Sequence, residues 1–253
     1  MTPPVTLRIT APIAQVTMAD VEGRNALGPR LYRGLERVLP AAADDPEVKA
    51  IVVTGLPDIF CSGAPRDVLL ETDGTHADDY EKFTRIFARC PLPVVAAMNG
   101  HAIGGGLVFG LYADVPVLSE RCVYAANFLQ YGIAPYLGTT HIVPSRMGES
   151  LGTEMIFTAR GYRGAELRSR GAPVLILPHD RVHDMATTIA TRIARAPRRS
   201  IELVKQQLAR RVLAETDTAM AVELEPHLAS MELAAVRERV ATGYGPPTSM
   251  EVT

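Results

Sequence analysis

The chain has 253 residues, 47% of them hydrophobic and 21% charged, with a formal net charge of −2. That length can bury a sizeable core in one large domain, and the near-neutral balance gives no general attraction to nucleic acid or anionic membrane. No apolar run reaches the ~18–20 residues of a membrane span, and the opening MTPPVTLRIT lacks a charged-then-apolar leader, so a cytoplasmic protein is expected.

In chain order, TLRIT (6–10) and AQVTM (14–18) read as paired strands, and GPRLYRGLERVLPAAA (28–43) as a helix with Leu31, Leu35, Val38 and Leu39 on one face. KAIVVTG (49–55) is a buried strand, DDYEKFTRIFARC (78–90) an amphipathic helix and PLPVVAAMNG (91–100) another strand. GGLVFGLYAD (105–114) is apolar nearly all round and predicts a buried helix. VPVLS (115–119) and CVYAANF (122–128) return to strand. Alternating strand and helix predict an α/β fold with parallel-type connections. From about residue 139 the segments turn nearly all helical, which divides the chain into an α/β core (1–195) and a C-terminal helical region (196–253) ending in a frayed tail, GYGPPTSMEVT.

Two stretches rich in small residues follow successive strands. Gly104, Gly105 and Gly106 open the buried helix, where unpaired N–H groups and the helix dipole attract negative charge and missing Cβ atoms admit a ligand. Close helix–strand packing is the alternative use of the same glycines. Earlier, Cys61-Ser62-Gly63-Ala64 follows the strand at 49–55. Two such turns side by side present two backbone N–H groups to one oxygen, an oxyanion hole. Cys61, Cys90 and Cys122 have no CxxC or Cys/His ligand spacing and read as reduced core thiols, so no metal or cofactor is expected. His179 and His183 are four apart with Asp180 and Asp184 interleaved; at a loop-to-helix junction this reads as capping by Asp180 rather than metal ligation. Arg195, Arg198, Arg199, Lys205, Arg210 and Arg211 read as a largely solvated basic face suited to an acidic partner. Without aromatic interleaving, it does not point to nucleic acid.

The combination FCSGA, GHAIGGG, NAL (25–27) and YGIAP (131–135) resembles the crotonase (enoyl-CoA hydratase/isomerase) superfamily over nearly the whole chain. The resemblance implies a spiral of ββα units, a C-terminal helical trimerisation region, and a thioester carbonyl held by the N–H groups of Ala64 and Gly105. It also implies a homotrimer and leaves open the pairing of trimers into hexamers. Hydratases of that superfamily carry two glutamates at places that here hold Val108 and Phe128. Without that acid and base, addition of water is not expected. With Tyr131 they make a dry acyl pocket suited to loss of CO2.

A narrower resemblance, through CPLPVVAAMNGHAIGGGLVFGLYAD, VYAANFLQYGIAP and GYRGAELRSRGAPVLILP, is to the decarboxylating crotonase homologues of polyketide β-branching. It implies a 3-methylglutaconyl-type substrate on the phosphopantetheine of an acyl carrier protein. Their lysine and histidine pair maps onto His227 for the histidine, while the lysine place falls near His76, with Lys82 the nearest lysine. Tyr136 stands where those homologues have glycine. The implied roles are carboxylate orientation by the His76 loop or Arg66, and proton delivery by His227 or Tyr136. Dehydration or isomerisation, dehydration and decarboxylation by one enzyme, and a non-catalytic thioester-binding trimer are the other readings.

Overall fold

The computed structural model describes residues 3–70 and 77–243. Strands β1 (Val5–Thr10) and β2 (Ile13–Met18) form an antiparallel hairpin, followed by α1 (Pro29–Asp44), β3 (Ala50–Thr54) and β4 (Ile59–Cys61). The short helices α2 (Arg66–Leu70), α3 (Ala77–Thr84) and α4 (Ile86–Arg89) lead to β5 (Val94–Met98), β6 (His101–Ile103) and α5 (Gly105–Leu111). Next come β7 (Val115–Ser119), β8 (Val123–Ala125), a 3-10 turn at Asn127–Tyr131, α6 (Thr139–Met147) and α7 (Glu149–Thr158). The chain continues through β9 (Tyr162–Arg163), α8 (Gly164–Ser169), β10 (Leu175–Leu177), α9 (Val182–Ile193), α10 (Arg198–Met231) and α11 (Ala234–Gly243).

Two sheets share these strands. The larger has the order β1-β2-β3-β5-β7-β10 and the smaller β4-β6-β8-β9. The expected hairpin and parallel connections are both present: β3, β5 and β7 pair in parallel in the large sheet, and β4, β6 and β8 in the small one. Each of β3, β5 and β7 is followed directly by a small-sheet strand, so the strand–strand–helix unit repeats along the chain. The core between them is apolar and aromatic, with Phe109 at 4.4 Å from Phe87, 5.4 Å from Phe83 and 6.2 Å from Phe60 between ring centroids. All seven residues of α5 are buried, as its composition predicts.

The structure corrects four details. β4 and β6 are too short to show a period of two and were not expected as strands. The part beyond residue 139 is not purely helical, because β9 and β10 close the two sheets. The helix expected over 78–90 breaks at Arg85 into α3 and α4. Asp180 does not cap α9, whose N-cap is Arg181; the adjacent His179 Nδ1 lies 3.1 Å from Ser119 Oγ. Among the described residues no helix is long and apolar enough to cross a membrane.

The basic stretch is also not a continuous solvated face. Lys205 is buried, its ammonium donating to Asp114 Oδ2 at 2.7 Å and to the Phe87 carbonyl at 2.9 Å. Arg198 donates to the backbone carbonyls of Ala43, Asp45 and Val48. Both cations fasten α10 to the α/β core. Arg195, Arg199, Arg210 and Arg211 are exposed, and Arg199 and Arg211 are each paired with a glutamate on their own helix.

Candidate active site

The parallel small sheet builds the site. Cys61 pairs with Ala102 and Ile103 with Ala125, so the chain leaves β4, β6 and β8 at the same edge. The three exits, 62–64, 104–105 and 126–128, are therefore neighbours. Gly104 donates to the Ala125 carbonyl at 2.7 Å, and Leu27 N–H donates to the Gly63 carbonyl at 2.8 Å. Asn25 is buried and its amide donates to the carbonyls of Met18 and Phe60, tying the segment before α1 to β4.

The glycines serve distinct needs. Gly63 at φ +91° and Gly104 at φ +55° adopt backbone that side-chain-bearing residues rarely take. A Cβ on Gly63 would lie 2.6 Å from the Ile103 carbonyl oxygen and 3.6 Å from Gly105 N, which puts the two turns in contact. Gly106 answers the packing reading: a Cβ there would come within 2.3 Å of the Cys61 carbonyl oxygen. Gly105 itself is the first residue of α5, where the helix supplies its N–H with no i−4 partner. Ala64 and Gly104 line a cleft of about 470 Å³ with Ser62, Pro65, Asn127 and Tyr131. The lining also carries Arg24, Arg30 and Arg66 together with Asp20 and Glu22, both of which pair with Arg30. Exposed Arg66 donates to the Ala241 carbonyl of α11. Burial raises the Cys61 thiol to about 12, so it supplies no thiolate here.

On the other side of Gly105 stand Leu27 and Leu137, whose Cδ1 atoms lie 3.0 Å and 3.9 Å from a Cβ built there. Val108 is fully buried on the first turn of α5, and Phe128 is half-buried on the 3-10 turn after β8. Neither carries a charge. The segment 134–140 is fastened to α10 by three side chains. Glu223 is buried and accepts from Gly138 N at 2.8 Å, Thr140 N at 2.7 Å and Thr140 Oγ1 at 2.6 Å. Ser230 Oγ accepts from Ala134 N at 2.9 Å, and His227 Nδ1 lies 2.8 Å from the Ala134 carbonyl oxygen.

A carbonyl oxygen can only accept, so Nδ1 of His227 carries the hydrogen and Nε2 is the nitrogen left for chemistry. Burial lowers the His227 pKa; the Ala134 bond and the Glu223 charge oppose that shift. The Tyr136 ring stacks on His227 with centroids 5.3 Å apart, and burial together with Glu81 raises the phenol pKa. His227 and Tyr136, the two alternative proton donors expected from the sequence, are thus neighbours. His76 lies outside the described residues. Lys82 is exposed on α3. Two carboxylates do approach this region, from outside the two expected glutamate places: Glu223, and Glu81, whose Oε2 is 3.5 Å from Tyr136 Oη. Glu223 is saturated with backbone and hydroxyl donors and Glu81 is paired with Arg85.

Residues 8–242 match the enoyl-CoA hydratase/isomerase family. The chain belongs to that family. Within it, the chain is 35% identical over 240 residues to the bacillaene synthase decarboxylase PksI of Bacillus subtilis, covering 94% of this chain and 96% of that protein. A structure described as part of a dehydratase/decarboxylase enzyme couple in polyketide β-branching superposes with a TM-score of 0.89 at 36% identity, covering 95% of this chain and 96% of the other. The ECH2 decarboxylase domain of CurF from Lyngbya majuscula superposes with a TM-score of 0.87 at 32% identity, over 96% of this chain and 100% of that one. In this member of the family both turns are rich in small residues, and neither Val108 nor Phe128 is a carboxylate.

Proposed function

We propose that this protein is a crotonase-superfamily lyase that decarboxylates a 3-methylglutaconyl-type acyl thioester in polyketide β-branching, the acyl group being carried on the phosphopantetheine of an acyl carrier protein. The observation that carries the reading is the chemistry around the two turns: they lie against each other at Gly63 and Gly105, Val108 and Phe128 beyond them are apolar, and the nearby carboxylates of Glu81 and Glu223 are already engaged. An oxyanion site without a free acid–base pair stabilises an enolate but does not add water. The similarity to β-branching decarboxylases supports the same choice.

The thioester oxygen accepts from the N–H groups of Ala64 and Gly105 while the acyl chain lies against the apolar pocket. The bond from the carboxylate to carbon breaks, its electron pair enters the conjugated thioester, and the hole holds the resulting dienolate. CO2 leaves, and a proton from the His227–Tyr136 pair completes the product. The thioester itself takes the electron pair, so the proposed reaction uses no cofactor. The substrate arm enters by the cleft at Ala64, which Arg66 also lines. Self-association into a trimer is supported by exposed apolar side chains along α10, Leu203, Val204, Leu208, Val222, Leu224 and Leu228.

Mass spectrometry of a 3-methylglutaconyl carrier protein tests the reading: loss of CO2 is the expected result. Unchanged acyl mass, with an HMG-type precursor losing water instead, would replace it by the dehydratase reading. The pH profile then separates the two donors. A required His227 imidazolium exists only below its pKa, which burial holds under the ordinary 6.5. kcat/KM should therefore fall as pH rises through that depressed value. A profile flat there and falling only in the alkaline range assigns the proton to Tyr136, whose pKa is shifted upward.

A further inference from the structure

Arg85 sits at the break between α3 and α4 with a side chain only 2% exposed. A guanidinium that deep needs anions. It has two, Glu81 and Asp217, with side chains 31% and 62% exposed. The other buried cation of this fold is arranged differently: Lys205 and Asp114 are 2% and 18% exposed, so both halves of that pair are held inside. Around Arg85 the cation is fixed and the counter-ions reach solvent, so one carboxylate can leave when another takes its place. Arg85 Nε, moreover, has no hydrogen-bond partner among the described residues.

The surroundings connect this cation to the proposed reaction. Glu81 gives Oε1 to Arg85 and places Oε2 3.5 Å from Tyr136 Oη. Tyr136 stacks on His227, and the next residue, Leu137, reaches to 3.9 Å from a Cβ built on Gly105. A carboxylate therefore already lies between a buried guanidinium and the proton-delivering pair, on the Leu137 side of the oxyanion turn.

We infer that Arg85 is the specificity-determining cation that receives the substrate's terminal carboxylate, and that Glu81 holds its place in the empty site. Arg85 presents a planar fork to a carboxylate, which suits exchange of one carboxylate for another. The exchange also answers a difficulty of the reaction. A cation paired with a carboxylate stabilises the ground state and opposes loss of CO2. Because Glu81 returns as CO2 departs, Arg85 is not left unpaired and the electron pair is free to move into the thioester. The inference rests on the proposed decarboxylation for the identity of the carboxylated substrate.

The test compares binding of two unreactive pantetheine thioesters, 3-methylglutaryl and isovaleryl, which differ only by the carboxylate. The wild type should prefer 3-methylglutaryl. Arg85→Gln should weaken 3-methylglutaryl binding by roughly 30-fold or more while leaving isovaleryl binding unchanged. Retention of the preference by a folded Arg85→Gln protein overturns the assignment. A wild type without any preference overturns the decarboxylase reading beneath it, so the two failures are distinguishable. If Arg85→Gln does not fold, Glu81→Gln carries the test. Removing the competing charge should tighten 3-methylglutaryl binding several-fold, and lower both KM and kcat for the decarboxylated substrate, since Arg85 then loses its returning partner. Weaker 3-methylglutaryl binding by Glu81→Gln overturns the exchange.

Discussion

Gly105→Pro should fold and lose roughly 10²–10³-fold in kcat, the usual consequence of deleting one oxyanion donor. The position makes the substitution unusually clean. Gly105 is the first residue of α5, and the first helical position is where proline is tolerated, because the missing N–H has no helical partner and the ring's φ suits the helix. What the substitution removes is therefore the donor. What it adds is carbon facing Leu27 Cδ1, 3.0 Å from the Cβ position, so Leu27 has to give by a few tenths of an ångström. Gly105→Ala supplies the same Cβ and keeps the N–H, and should lose far less. Rates measured on folded protein by the release of CO2 check both. Equal losses in the two variants would assign the effect to crowding against Leu27 and withdraw the hole from Gly105.

The two small-residue turns were readable in the chain because backbone geometry restricts residue type there. Gly63 and Gly104 take positive φ, and Gly106 lies against the Cys61 carbonyl, so each leaves a glycine in the sequence wherever the fold needs it. The strands that bring the turns together were harder to see. β4 and β6 are three residues each, too short for alternation to register, and their pairing joins residues 59–61 to 101–102. Two members of the basic stretch were hidden for a related reason. Lys205 and Arg198 occur among solvated arginines on one amphipathic segment, while the groups that bury them lie 91 residues away at Asp114 and 150 residues away at Val48. Charge along a helix shows only its own neighbours. Arg85 was hidden in the same way: it falls in a helical pattern, and only the break between α3 and α4 turns it inward. Glu223 carried no local signal at all. Its role becomes visible through Gly138, a left-handed residue at φ +74° opening α6, which has no capping side chain of its own.

That dependence makes Glu223→Gln a sharper test of the site than its conservative appearance suggests. Both carboxylate oxygens are used: Oε2 takes the Gly138 N–H, and Oε1 takes the N–H and the hydroxyl of Thr140. An amide has one acceptor oxygen, so glutamine must aim its NH2 at another donor on one side or the other. A buried donor left facing a donor costs about 1–3 kcal/mol, and hydrogen bonds to a charged acceptor lose a comparable amount when the charge goes. Glu223→Gln should therefore cost about 3 kcal/mol in a denaturant titration, with Glu223→Ala no milder. Activity should fall further than the folded fraction explains. Gly138 and Thr140 follow Tyr136 and Leu137 directly, and one turn further along α10 His227 holds the start of the same segment through Ala134. When Glu223 no longer fixes 138–140, the wall at Leu137 and the stack of Tyr136 on His227 lose their common anchor. kcat should drop together with stability, while binding of a thioester through the Ala64 side of the cleft should change little. A folded Glu223→Gln protein with wild-type kcat would show that the segment 134–140 keeps its place without this carboxylate, and would leave Ser230 and His227 as sufficient anchors.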